Sequence, residues 1–416
     1  AHRYRQQILI EGRAADASGR AGGASYWRPA IRDLSRTMQS FGAQATGARL
    51  ERMRASRRWD GAGFRNLHPV LPGLRDASVP MPRMTQMLFA GPGEQPAAPL
   101  PSYDPRSAWA RPPSTGLRAT WLGHSTVLIE IDGARVLTDP VWGTRASPFR
   151  LMGPRRFQPM PVRLHDMPVV DAVLISHDHY DHLDYPTITA LAKGSAVPFI
   201  TSLGVGAHLQ AWGVAPERIT ELDWWESARV PGTGVRVTAA PSQHFSGRSL
   251  KVRNPTLWSS LVIEGDRHRV FFSGDTGLTG EYADIAARLG PFDLTMLEIG
   301  AYYPAWGDMH LGPANALKAQ ALLGSGALLP VHWGTFRLAP QRWDEPIETL
   351  VREAGPAGVR LVLPQMGEAV EPTQQRPWTP WWRGTASAAP EPAARPVTED
   401  EFDAPARLRG RVWPLD

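Results

Sequence analysis

The sequence predicts an α/β (α+β) fold, with two mixed β-sheets flanked by helices on their outer faces. Two patterns carry this. Short β-branched runs first pair through a tight turn, as antiparallel hairpins do, and later alternate with helical stretches. His and Asp clusters also stand at the ends of several runs, where loops converge on one site.

Taken in order, ATWLGHSTVLIEIDG (119–133) opens the folded region. Segments 127–131 and 135–138 read as strands across Asp132-Gly133, a dipeptide that favours a hairpin turn. Segment 168–176 is nearly all apolar and reads as a strand buried on both faces. It stops at HDHYDHLDY (177–185), and a helix is expected over 186–193. Strands follow at 234–240, 258–264 and 269–273, the last running into SGDTG. Helices are expected at 279–289, 312–323 and 344–354, each followed by a strand, at 293–298, 327–330 and 359–363.

The 416 residues can bury a sizeable core in one large domain or two ordinary ones. No stretch approaches the 18 or so consecutive apolar residues of a membrane-spanning helix. Zero cysteines exclude disulfides, thiolate metal sites and a cysteine nucleophile, so any metal must sit on His, Asp or Glu. The net charge of +5 is too modest to argue for a nucleic-acid binder. Its distribution is uneven: residues 1–59 hold 12 arginines and four acids. Abundant Arg, Pro and Ala fit a GC-rich bacterial genome. The chain opens on Ala1, consistent with a removed presequence, although no signal peptide is visible.

Three zones follow: an Arg/Pro-rich N-terminal extension at 1–118, an α/β region at 119–372, and a Pro/Ala/Trp-containing tail at 373–416. Within the first, Ile31, Leu34, Met38 and Phe41 recur at near-helical spacing among arginines. This reads as an amphipathic helix on anionic lipid, a helix packed on the core, or a disordered arm. Trp378, Trp381 and Trp382 either insert at an interface or cover core surface.

The chemistry is concentrated in His177-Asp178-His179-Tyr180-Asp181-His182. Histidines at i and i+2 of an extended turn point the same way, while Asp181 and His182 face a second point nearby. That spacing suits two adjacent metals. Three later segments read as strand ends opening into loops: PSQH ending at His244, SGDTG around Asp275, and PVHWG around His332. Imidazole and carboxylate without thiolate favour zinc, with iron or manganese as alternatives.

HDHYDH followed by a distant His, Asp and His resembles the metallo-β-lactamase superfamily of di-metal hydrolases. The resemblance implies an αββα sandwich. It implies one metal on His177, His179 and His244, the other on Asp181, His182 and His332, and Asp275 bridging. Further strings, WLGHSTVLIEIDG (121–133), ELDWWE (221–226), PSQHFSGR (241–248), GPFDL (290–294), IGAYYP (299–304) and HWGTF (332–336), with a weaker echo in RNLHP (65–69), narrow this. Together they resemble the N-acylphosphatidylethanolamine-hydrolysing phospholipase D family over about 119–370.

That resemblance implies hydrolysis of a glycerophospholipid to phosphatidate and N-acylethanolamine. Two cations sharing one water would lower its pKa. It also implies peripheral membrane contact, with the side of the membrane open, and a homodimer. Asp181 gains a second task, orienting the attacking water. His310 matches a family histidine near the substrate, a candidate for contacting phosphate or protonating the leaving oxygen. Tyr180 is a candidate substrate contact or a packing residue. Asp139 either fixes a ligand histidine's tautomer or caps a turn. His124 reads as a buried structural histidine within reach of the metal loop.

The chain departs from the pattern in two places. Pro304-Ala305-Trp306 lacks the arginine that animal members carry between proline and tryptophan, and Glu298 stands where a proline is expected. A broader phosphodiester specificity follows as an expectation. The competing readings are a lactone hydrolase on the same scaffold, a nucleic-acid phosphodiesterase and a metal-free scaffold protein. Salt-sensitive nucleic-acid binding would mark the second, but aromatic-basic interleaving is missing.

Overall fold

The computed structural model describes residues 35–68, 78–249, 253–307, 309–324, 326–374 and 376–384. The expected hairpin forms first. Leu117–Gly123 (β1), Thr126–Ile131 (β2) and Ala134–Thr138 (β3) are paired antiparallel, with Ile131 opposite Ala134. Asp132 and Gly133 take φ of 47° and 90°, the two left-handed positions of a type I′ turn. Asp132 is then locked from outside by the backbone N–H groups of Arg267 and His268.

Parallel strands extend this sheet: Ala172–Ile175 (β4), Phe199–Ser202 (β5) and Ile219–Leu222 (β6). Ala369–Val370 (β13) returns late in the chain to cap β1, giving the order β13-β1-β2-β3-β4-β5-β6. The second sheet has Ser227–Arg229 (β7), Arg236–Ala240 (β8), Ser260–Glu264 (β9), Arg269–Phe272 (β10), Leu294–Glu298 (β11) and Leu328–Val331 (β12), in the order β12-β11-β10-β9-β8-β7. Both sheets are mixed.

Side chains alternate across strands, so each sheet has one face toward the other and one toward helices. Ile129, Val136 and Leu174 of the first sheet meet Val237, Phe271 and Met296 of the second in one core. On the outer face of the first sheet, Val173, Ile175 and Phe199 pack under Tyr185–Gly194 (α1) and Gly206–Ala211 (α2) through Ile188 and Leu209. The second sheet is covered by Glu281–Leu289 (α3), Gly312–Leu323 (α4) and Glu345–Ala354 (α5), which bury Ile285, Leu317 and Leu350. Each fully buried Leu or Ile contributes about 1.5–3 kcal/mol, so the α/β/β/α layering follows from apolar patterning.

Three expectations change. The strand expected at 168–176 shortens to β4, because Pro168 offers no N–H and Val169 is half exposed. Segment 359–363 is not a strand: it makes one parallel bridge, Leu328 with Leu361, and Pro364 ends the pairing. The arginine-rich helix read over 31–59 divides into helical residues 35–40 and a helix at Gly47–Ala55, while Ile31 and Leu34 lie outside the described residues. Met53 of that helix is buried with Phe64, Trp224 and Trp258, and Arg49 and Arg52 pair with Glu221 and Glu226. Trp381 and Trp382 are buried against Trp333 and cover core surface.

Candidate metal centre

Four strands end together and deliver the motif residues. Beyond β4, Ser176 begins the loop that carries His177–His182, and the N–H groups of His182 and Leu183 return to the carbonyl of His179. Asp184 then caps α1 by accepting from the Thr187 N–H, with Pro186 in the first turn. β8 leads to His244, β10 to Asp275 and β12 to His332. Close approach of these loops needs glycine. A Cβ on Gly300 would lie 2.0 Å from the His332 carbonyl oxygen, and one on Gly274 2.8 Å from the Ser176 Cβ. His124, Asp139 and His332 hold φ of 52°, 34° and 64°, backbone strain gathered at one site.

Two sets of donors form around Asp275. In the first, Nδ1 of His179 lies 2.9 Å from His177 Nε2 and 3.2 Å from His244 Nε2. In the second, Asp181 Oδ2 lies 3.2 Å from His332 Nε2 and 3.4 Å from His182 Nε2. Asp275 stands between them. Its Oδ2 is 3.8 and 3.7 Å from the Nε2 atoms of His177 and His244 and 3.1 Å from that of His332, and its Oδ1 is 3.1 Å from His182 Nε2. Two ligands about 2.0–2.2 Å from one tetrahedral ion lie roughly 3.3–3.5 Å apart, so these spacings fit an ion at each set.

The tautomers point the same way. His182 Nδ1 donates to Asp139 at 2.7 Å, and His244 Nδ1 donates to the Met309 carbonyl at 3.0 Å. His177 Nδ1 is 2.9 Å from Ser176 Oγ, which donates to Asp139 at 2.6 Å. With Nδ1 carrying the proton in each ring, the Nε2 lone pairs converge on the centre, an arrangement that asks for a cation between them. His182 Nε2 and Asp275 Oδ1 are buried without a hydrogen-bond partner.

Burial holds His177, His179 and His244 below the ordinary imidazole range, as neutral donors. At the second set burial acts the same way but loses. The carboxylates of Asp275 and Asp181 push His332 up to about 10 and raise His182 well above its ordinary value. Burial would raise both carboxyls, yet the surrounding imidazoles hold them well below the usual range. Protons therefore balance charge that divalent cations would balance instead.

His124 reaches the centre directly: its Nε2 is 3.0 Å from Asp181 Oδ2, and its carbonyl accepts from the His332 N–H. His310 is held by Glu298, with Nδ1 to Oε2 at 2.7 Å and Asp275 Oδ2 4.0 Å away. Tyr180 makes packing contacts. Its hydroxyl donates to the Arg248 carbonyl at 2.7 Å and its ring lies under the Arg248 guanidinium.

Three contributors were missed as functional residues. Glu298 stood out in the sequence only as a departure, but it is fully buried and accepts from the Thr276 and Leu311 N–H groups besides His310. Asn66, within the RNLHP echo, clamps the backbone N–H and carbonyl of His244. Arg248, in PSQHFSGR, donates to the carbonyls of Asp178, Leu183 and Ser40 and braces the metal loop.

Residues 134–333 match the β-lactamase superfamily domain family model. The chain belongs to the metallo-β-lactamase superfamily. It is 46% identical over 356 residues to an uncharacterized protein of Mycobacterium tuberculosis, covering 85% of this chain and 94% of that one. It is 38% identical to N-acyl-phosphatidylethanolamine-hydrolyzing phospholipase D 1 of Caenorhabditis elegans, over 53% of this chain and 65% of the relative. The mitochondrial N-acyl-phosphatidylethanolamine-hydrolyzing phospholipase D of Saccharomyces cerevisiae is 33% identical over 60% of this chain and 54% of its own length. With its fold, family and donor sets taken together, the protein is a metal-dependent hydrolase of this superfamily.

Proposed function

We propose that the protein is a di-zinc phosphodiesterase of phospholipase D type, acting on N-acylphosphatidylethanolamine-like glycerophospholipids. The observation that carries the reading is Asp275 standing between two donor sets, an arrangement suited to a phosphodiester with two non-bridging oxygens. The worm and yeast relatives bearing that activity in their names support the substrate class. His177, His179 and His244 would hold one ion, Asp181, His182 and His332 the other, with Asp275 shared. Two such ions, when bound, supply charge neutralisation for the phosphate and a lowered pKa for the attacking water.

The chain's own groups supply the rest. Asp181, approached by three imidazoles, orients the water and accepts its hydrogen bond. An oxygen–phosphorus bond forms from that water as the phosphorus–oxygen bond to the N-acylethanolamine breaks. His310, anchored through Nδ1 on Glu298, presents Nε2 to the leaving oxygen and delivers its proton. Phosphatidate and N-acylethanolamine are the products. Ala305, which replaces the arginine of animal members, leaves the head group less tightly specified, so plain and N-acylated lipids should be less sharply separated.

The test is product identification by mass spectrometry after incubating the zinc-loaded protein with N-acylated and plain phosphatidylethanolamines and with lactones. Phosphatidate plus N-acylethanolamine is expected. Diacylglycerol plus a phosphorylated head group, or turnover confined to lactones, overturns the assignment.

A further inference from the structure

The loop SPFRLMG (147–153) is not used by the chemistry above. Its apolar side chains nonetheless point to water: Leu151 is 80% exposed, Met152 61% and Phe149 41%. Soluble surfaces seldom gather large apolar residues at one loop tip without a partner. Beside it stands Met38, 70% exposed, on the segment that Phe41 docks edge-on against Phe149 and that Ser40 ties to the Pro148 carbonyl.

Arginine gathers around this tip. Arg145 and Arg150 flank the tip and Arg36 stands on the neighbouring segment, whereas Arg49 is paired with Glu221, Arg163 with Asp166, and Arg156 is buried on the Val141 carbonyl. A depression of about 50 Å³ at the loop's base is lined by Arg36, Arg145, Arg150 and Arg248 with Thr37 and Ser147, and its one carboxylate, Asp184, is buried and accepts from the Gly143 and Thr187 N–H groups. Such a site suits a phosphate group. Apolar tips ringed by arginine match the layered chemistry of an anionic bilayer, acyl chains beneath phosphates.

The loop is coupled to the metal centre. Its stem pairs Arg145 with Arg155 and then Arg156 with Phe336, four residues beyond His332. Arg337, next to Phe336, holds the carbonyls of Met87 and Phe89. We propose that loop 147–153, with Met38 beside it, is the surface by which the protein sits on an anionic phospholipid bilayer. For its purpose the proposal rests on the lipid reading above, whereas its test uses vesicles containing no N-acylated lipid.

The zinc-loaded protein is co-sedimented with phosphatidylcholine vesicles, with and without phosphatidylglycerol. The parent should bind the anionic vesicles and be released by salt. The double variant Leu151→Glu/Met152→Glu, and separately Arg150→Glu, should each weaken binding about tenfold or more. Leu322→Glu, on the far helix α4, should change nothing. Hydrolysis of a small soluble phosphodiester should be unchanged in the double variant, which shows that it is folded. Equal sedimentation of parent and double variant, or no anionic binding by the parent, overturns the proposal. So does a parent dimer that the double variant abolishes without vesicle binding, which would assign the surface to a second copy. Vesicle binding without turnover of any lipid removes the phosphodiester reading and leaves the surface standing.

Discussion

Asp139 stands behind both candidate donor sets without belonging to either. It accepts from His182 Nδ1 directly and from His177 through Ser176, so it sets the tautomer of one ligand in each set. Asp139→Asn leaves an amide able to donate back to either partner. Zinc affinity, measured by competition with a chromogenic chelator, should fall about 10–100-fold while the fold persists. Glu298 has a different task. It holds His310 and the backbone of Thr276 and Leu311, on the side facing the leaving group in the proposed reaction. Glu298→Gln should lower kcat by about 10²-fold with metal content unchanged. A variant that instead loses zinc would recast Glu298 as part of the metal site.

Among the elements, the loop at 177–182 was the most legible, because its candidate donors are local: four lie within six residues of one strand end. The hairpin was legible for a similar reason, since Asp132-Gly133 encodes its own turn. Strands β5, β6 and β7 were not anticipated. They are three or four residues long, too short to express a period, and β7 buries no residue fully. The strand expected at 359–363 failed because its apolar pattern reflects packing beside β12 without a ladder. Arg248 escaped notice because an arginine reads as surface, yet here it is buried between Tyr180 and Trp212. Replacing it would strand the carbonyls of Asp178, Leu183 and Ser40. Arg248→Met should therefore destabilise the fold by about 3 kcal/mol or more in urea unfolding. Arg248→Lys should recover only part, lacking the planar fork.

At the scale of the molecule, the two sheets meet at the metal centre. The first contributes His124, Asp139 and the 177–182 loop, the second His244, Asp275, Glu298 and His332. Ions placed there would join the halves, so chelation should lower Tm and added zinc should restore it in a concentration-dependent way. The pH dependence of the chelated protein follows from His332. Its folded pKa of about 10 lies above the ordinary value near 6.5, so its stabilisation is full below about 6.5 and lost as pH rises through 10. Tm of the metal-free protein should fall across that window, and that of the zinc-loaded protein should not fall in parallel, because the cations replace those protons. Scanning fluorimetry of both forms across pH checks this.

The most direct test of the account is elemental analysis of the purified protein before and after dialysis against excess zinc. About two ions per chain are expected after loading, falling to one or fewer in Asp275→Asn. A parent protein that arrives without metal and takes none up would contradict the account at its centre.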